Sequence, residues 1–211
     1  MVRYKTVCRE AEATLVIEKS KFIAYVKPVS TVEEAEAFVA SVRTSHRDAT
    51  HNVPVYVLGE RFETQKYSDD GEPSGTAGVP VLQMMTKEGI TNTAVVITRY
   101  FGGIKLGTGG LVRAYTGTAK EGLKAAGVAE VKDMWVADAV IDYTFHGKAA
   151  GLESRGDFFI RDTRFTDKVT LELACDPEKA EETKTLFREV TAGTVVFLNE
   201  HEELVSVEDK G

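Results

Sequence analysis

Five glycines crowd into nine residues of the run Arg99-Tyr100-Phe101-Gly102-Gly103-Ile104-Lys105-Leu106-Gly107-Thr108-Gly109-Gly110-Leu111-Val112-Arg113-Ala114-Tyr115. Glycine loses the most backbone freedom on folding and packs nothing in return. Such a cluster is therefore kept where a backbone or ligand must come close, or where several positions need φ > 0. The run lies between an apolar stretch, Thr93 to Thr98, that reads as a buried strand, and an amphipathic helix from Leu111 to Ala126 ended by Gly127. It carries Arg99, Lys105 and Arg113. Free N–H groups at a helix start beside cations suit an anion, phosphate above all. A second reading stands beside it: tight turns that let the helix pack on the sheet.

The pattern is neither of two familiar phosphate loops. Gly102 and Gly107 have the Walker spacing, but Thr108 stands where the lysine belongs. From Gly107 and Gly109 a dinucleotide fingerprint would need a third glycine at Val112.

Charge is unevenly spread. The 211 residues carry a net charge of −7, which argues against general coating of nucleic acid. Residues 1–136 hold 17 Lys/Arg against 16 Asp/Glu, and residues 137–211 hold 9 against 17. From Arg99 to Lys124 there are five basic residues and one acidic, Glu121. A local basic patch can bind nucleic acid on an acidic protein; a solvated helix face with scattered lysines has the same composition. No apolar run is long enough to cross a bilayer, and residues 1–6 lack a signal peptide's apolar core. A cytoplasmic protein, with no membrane partner, is expected. Cys8 and Cys175 have no metal or redox spacing and read as packing residues.

The first part of the chain predicts strands near 3–8, 13–18 and 21–29. A helix over 32–45 follows, with Thr31 as N-cap and Glu34 completing a capping box. Val53 to Leu58 is a further strand, and Phe62 to Tyr67 is placed to pair with it. Residues 68–78 read as a loop leading into a helix over 77–87, where Pro80 fits only the first turn. Beyond Trp135 the pattern restarts: strand 137–145, helix 147–155, strands 158–164 and 168–174, helix 177–190 opened by Asp176-Pro177, strand 194–207. That order, β-α-β-β-α-β, is ferredoxin-like. Two domains are expected, 1–136 and 137–211, in an α+β chain.

Asp69-Asp70-Gly71-Glu72 puts three carboxylates in four residues. They suit a divalent cation such as Mg2+ or a general base; a solvated turn held by Asx hydrogen bonds is the plainer alternative. Ser74 and Thr76 are read as helix caps. His46 and His51 are wrongly spaced for two ligands on one helix, no HExxH is present, and no metal site is assigned. His51-Asn52 opens a strand, as functional residues or as edge hydrogen bonders. No serine or cysteine sits in a nucleophile elbow.

Taken together, Lys21-Phe22-Ile23-Ala24, Ala49-Thr50-His51-Asn52, Asp69 to Gly78 and the 99–115 run resemble, in order, the signatures of the IMPACT/YigZ family. Residues 137–207 are similar to that family's bacterial C-terminal domain. Val53-Pro54 departs from the pattern where Cys is expected, which counts against a reactive cysteine beside His51. The resemblance implies an N-terminal α/β fold shared with domain IV of elongation factor G and with galactokinase-type kinases. It implies a C-terminal ferredoxin-like domain similar to the last domain of elongation factor G. In the kinases a Gly/Ser-rich loop before a helix holds nucleotide phosphates, and Leu106 to Gly110 resembles it loosely. Eukaryotic IMPACT proteins regulate translation by competing for an activator of the amino-acid-starvation kinase. That partner does not carry over to a bacterial-type chain, and fold analogy alone is a weak warrant.

The expectation is a non-enzymatic, translation-associated regulatory protein binding RNA or a ribosome-linked partner through the N-terminal domain. Arg99, Lys105 and Arg113 would contact phosphate over the backbone of Gly102, Gly103, Gly107, Gly109 and Gly110. Tyr100 and Tyr115 would stack or pack, and the acidic C-terminal domain would dock or orient. The alternative is a phosphate- or nucleotide-binding enzyme whose polar cleft of His51, Asp69, Asp70, Glu72, Ser74 and Thr76 supplies a metal site or base. A protein–protein adaptor is the third reading. If the acidic and glycine loops form one site, Asp70 and Glu72 should share a cleft with the Gly102–Gly110 loop and pair with Arg99 or Arg113.

Overall fold

Alternation along the strands decides which side of the first sheet each helix covers. The computed structural model describes residues 2–155 and 158–208. Packing divides them into two units, Val2–Val131 with the chain from Ser206, and Lys132–Val205.

In the first unit, β1 (Val2–Val7) precedes a five-stranded sheet of β2 (Ala11–Ile17), β3 (Ser20–Pro28), β4 (His51–Leu58), β5 (Thr64–Tyr67) and β6 (Thr93–Tyr100). The order is β2-β3-β6-β4-β5, and each neighbouring pair runs antiparallel. β6 is central and its side chains are buried up to Arg99. Ala94 and Val96 pack with Tyr56 against α1 (Val32–Ser45), through Ala35, Phe38, Val39 and Val42. Val95 and Ile97 join Phe22, Val53 and Val55 under α2 (Gly78–Lys87) and α3 (Gly107–Ala126). Helices thus cover both faces.

The α1 start keeps its expected cap, with the Glu34 N–H donating to Thr31 Oγ1 at 3.2 Å. The reciprocal bond is displaced by one residue: Glu34 Oε2 accepts from the Ser30 N–H at 2.7 Å. Phe62 belongs to a turn, with φ 61°, so β5 begins at Thr64 rather than at 62. α3 begins at Gly107 rather than at Leu111. First-turn N–H groups need no intrahelical acceptor, and buried Leu111 and Tyr115 anchor the helix.

β7 (Val128–Ile141) starts at Val128 rather than at 137, because Ala129 and Val131 alternate inward ahead of Trp135. One strand therefore leads from the first unit into the second. There follow α4 (Tyr143–Gly151) with a 3-10 turn to Arg155, then β8 (Phe158–Phe165) and β9 (Val169–Cys175). A 3-10 turn opened by Pro177 leads to α5 (Ala180–Val190), and β10 (Val196–Glu208) ends the series. β10 pairs with β7, β7 with β9 and β9 with β8. This is the β-α-β-β-α-β arrangement, around a core of Trp135, Ile141, Phe158, Leu171, Leu173 and Phe187. The whole is α+β.

α3 lies so close to β3 that a Cβ at Gly122 would stand 2.8 Å from Ala24 Cβ and 2.9 Å from Val26 Cγ2. In an open helix, alanine stabilises over glycine by about 1 kcal/mol. Here the sign reverses, and Gly122→Ala should lose about 1–3 kcal/mol in urea unfolding. A gain in stability would show that the contact yields freely.

Candidate functional site

Antiparallel order brings five strand ends to one edge of the first sheet: the starts of β3 and β4 and the ends of β2, β5 and β6. Arg99 is registered against Phe22 on one side and His51 on the other. Cross-strand partners share a face, so these three form a row beneath α3, at the level where the acidic and glycine loops leave the sheet.

The row is closed by Glu72, which is 8% exposed beside an Arg99 that is 4% exposed. Arg99 Nη1 donates to Glu72 Oε1 at 2.6 Å, and Tyr115 OH donates to the same oxygen at 2.7 Å. Arg99 Nη2 reaches Ser20 Oγ at 3.4 Å, whereas its Nε is buried with no hydrogen-bond partner. The guanidinium lies near two rings, 5.2 Å from the centroid of Phe22 and 5.4 Å from that of Phe101. His51 Nδ1 is 2.7 Å from the Asp70 carbonyl oxygen. A carbonyl only accepts, so Nδ1 carries the proton and Nε2 faces Glu72 Oε1 at 3.6 Å. Burial, then the Glu72 hydrogen bond, push the Tyr115 phenol far above its ordinary range. It is a permanent donor in this arrangement.

The three carboxylates do not converge. Asp69 is a helix cap acting at long range: Oδ1 accepts from the N–H groups of Ala77 at 3.2 Å and Gly78 at 2.8 Å, and Oδ2 from Gly75 at 2.8 Å. It takes the place expected of Ser74 and Thr76. Thr76 instead turns its hydroxyl to the Pro73 carbonyl at 2.6 Å, and Ser74 is exposed. Asp70 accepts from the Asn52 N–H at 2.6 Å and pairs with Arg43 at 3.0 Å. Glu72 alone points to Arg99. Among the described residues no three His, Cys, Asp or Glu side chains group as a metal site. The Mg2+ reading of this loop loses its geometry, because each carboxylate already has separate donors.

The glycine loop is pinned to the start of β3. A Cβ at Gly102 would stand 2.1 Å from the Lys19 carbonyl carbon, a clash that only glycine avoids. The Gly102 N–H donates to Ser20 Oγ at 3.1 Å, and the Phe101 N–H to Thr50 Oγ1 at 3.0 Å. Gly107 starts α3 with φ 68°, in the left-handed region. Gly103 and Gly109 are exposed and Gly110 is half-buried. Lys105 and Arg113 are also exposed. The Arg113 guanidinium folds back over the first turn of α3, 3.6 Å from where a Gly109 Cβ would stand.

Arg99, Tyr115 and Tyr100 face different surroundings. Arg99 is buried and matched to Glu72, not offered to a phosphate. Tyr115 is fully buried beneath it, edge-on to Phe22 at 5.3 Å. Tyr100 is half-buried on the opposite face, where its hydroxyl lies 2.8 Å from His46 Nδ1 and donates to Asp48 at 3.3 Å. The exposed rim residue is Phe101, 47% exposed, with Ile104 at 37%. An aromatic directly before a double glycine was the available signal for it. The hydroxyls of Ser20 and Thr50, which fix the loop, carry no such signal.

Glu72→Ala would strip a buried guanidinium of its counter-charge and should cost about 3–5 kcal/mol. Glu10→Ala, breaking the exposed 3.1 Å pair with Lys27, should cost less than about 1 kcal/mol. Urea denaturation separates the two; equal losses would mean that Arg99 rehydrates without strain. A pH effect follows from Tyr115. Its folded pKa is raised, so its contribution is whole below the unfolded value of about 10 and declines as pH rises above it. Stability should fall there by about 1.4 kcal/mol per pH unit from this group. Tyr115→Phe should flatten that slope, read from urea midpoints between about pH 9 and 11.

A family model described as the Impact N-terminal domain matches residues 18–123, and one described as a domain of unknown function, DUF1949, matches residues 141–194. The chain is 42% identical over 190 residues to IMPACT family member YvyE of Bacillus subtilis, spanning 90% of this chain and 88% of that protein. To IMPACT family member YigZ of Escherichia coli it is 46% identical over 110 residues, 51% of this chain and 54% of that one. A solved structure of a hypothetical protein superposes with a TM-score of 0.57 at 31% identity, covering 95% of this chain and 98% of the other. With both of its parts matched and a relative aligned over most of its length, the chain belongs to the IMPACT family.

Proposed function

We propose that this chain is a translation-associated regulatory protein that binds RNA, free or on a ribosome-linked partner, through the surface around the glycine loop. The observation that carries the reading is the division of labour among its cations. Arg99 is spent inside on Glu72, whereas Lys105 and Arg113 are exposed and make no ion pair among the described residues. They flank the first turn of α3, whose N–H groups add to the positive field. The local excess of positive charge from Arg99 to Lys124 stands out in a chain of net charge −7. The resemblance to eukaryotic IMPACT proteins supports the link to translation. The acidic C-terminal unit suits docking to a partner better than contact with phosphate. Against the enzyme reading, Asp69, Asp70 and Glu72 each serve a separate structural bond.

Phosphate contacts release counterions, so affinity for a single-stranded RNA should fall steeply as salt rises. Lys105→Ala and Arg113→Ala should each reduce the log–log salt slope by about 0.7 and weaken binding to all sequences alike. Fluorescence anisotropy over a salt series measures both. Absence of binding even at low salt would overturn the proposal, and magnesium-dependent nucleotide binding in its place would favour the enzyme.

A further inference from the structure

The aromatic rings of the site form a column that runs outward from the core and ends at the surface. Tyr115, fully buried, meets Phe22 edge-on at 5.3 Å. Phe22 lies 5.2 Å from the Arg99 guanidinium, and Arg99 lies 5.4 Å from Phe101. Phe22 and Arg99 each have two neighbours in this series. Phe101, the outermost, is 47% exposed on a loop whose backbone is tied down by Thr50 and Ser20. Exposing half of a phenylalanine is unfavourable, and this one shares its loop with exposed Ile104 and Lys105, while exposed Arg113 follows in α3; neither cation makes an ion pair among the described residues. A flat, apolar-faced group carrying negative charge matches that surface on both counts. A duplex hides its base faces within the stack, so it offers only half of the match; an unpaired strand offers both.

We infer that Phe101 is a stacking platform for an unpaired nucleobase, which makes single-stranded RNA the ligand class of this surface. The inference deepens the RNA-binding reading and rests on it. The Arg99–Glu72 pair holds the guanidinium behind the ring, so the platform is fixed before any ligand arrives. Lys105, in the same loop, and Arg113, in the helix that follows, supply the phosphate contacts. Stacking tolerates any base, so selection falls on strandedness rather than on sequence.

The test uses the full chain with a fluorescein-labelled oligoadenylate, alone and annealed to oligouridylate. The single strand should bind more tightly than the duplex. Phe101→Leu should weaken binding to the single strand by roughly tenfold while leaving duplex binding unchanged, with an unaltered melting temperature as the folding control. Phe101→Trp should retain affinity, and its added indole fluorescence should be quenched by the single strand and not by the duplex. If the wild-type chain binds both forms equally, or Phe101→Leu binds as wild type while Arg113→Ala is weakened, stacking is overturned and the phosphate surface stands. If Phe101→Leu unfolds, the quenching of Phe101→Trp decides by itself. If the wild-type chain binds neither form at low salt, both readings fall together.

Discussion

One carboxylate oxygen of Glu72 receives both the Arg99 guanidinium and the Tyr115 hydroxyl in a space nearly closed to water. Removing two charges from water is costly, and a buried pair repays that cost only when its remaining donors and acceptors are matched. Here Arg99 Nε is left without a partner, but the remaining bonds tie three separate pieces of chain: the end of β6, the acidic loop and the third turn of α3. The loop then cannot move without stranding a charge, nor can α3 tilt without removing a donor. The glycine loop, which joins β6 to α3, is bounded at both ends by members of this set. Its first residues are also bonded to Thr50 and Ser20.

That constraint also sorts the charges of the region into inner and outer sets. Asp69 closes the start of α2, and Asp70 joins α1 to the start of β4 through Arg43 and the Asn52 N–H. Neither acid pairs with Lys105 or Arg113: Asp70 pairs with Arg43, and Asp69 is turned to the N–H groups at the start of α2. Lys105 and Arg113 are left facing solvent at the positive end of a twenty-residue helix. A surface of this kind arises from where the acids are bound rather than from an excess of basic residues, since the first 136 residues are nearly neutral.

The opposite face of the same sheet edge repeats the logic with neutral groups. Tyr25 OH, His46 and Tyr100 OH form a chain of hydrogen bonds at 2.6 and 2.8 Å that ends on Asp48. Tyr100 donates to Asp48 and so accepts from His46 Nδ1–H, which leaves Nε2 to accept from Tyr25. Asn52, one residue from His51, belongs to this side and accepts from Thr98 at 2.7 Å. The pair His51-Asn52 is therefore divided between two networks by strand alternation alone.

Much of the fold was written in local pattern. Helix α1 was legible to its ends from apolar spacing and a capping box, and the β-α-β-β-α-β order from the alternation of elements. The glycine run, the acidic loop and His51 were legible as unusual, because composition reveals what ordinary packing does not require. That a carboxylate of the acidic loop would meet Arg99 or Arg113 was legible; which acid and which arginine was not. That Arg99 turns inward while Arg113 turns outward depends on which sheet face position 99 occupies and on Glu72 arriving there from 27 residues away. That Asp69 caps a helix eight and nine residues downstream depends on the path of the loop between them. The extent of β7 depended on burial of Ala129 and Val131 that local polarity concealed. The sequence by itself determined the elements and the chemical inventory, since both follow from short-range periodicity and residue type. Only the tertiary structure decided which charges cancel inside and which remain at the surface, because ion pairing acts between residues that the fold, not the chain, makes neighbours.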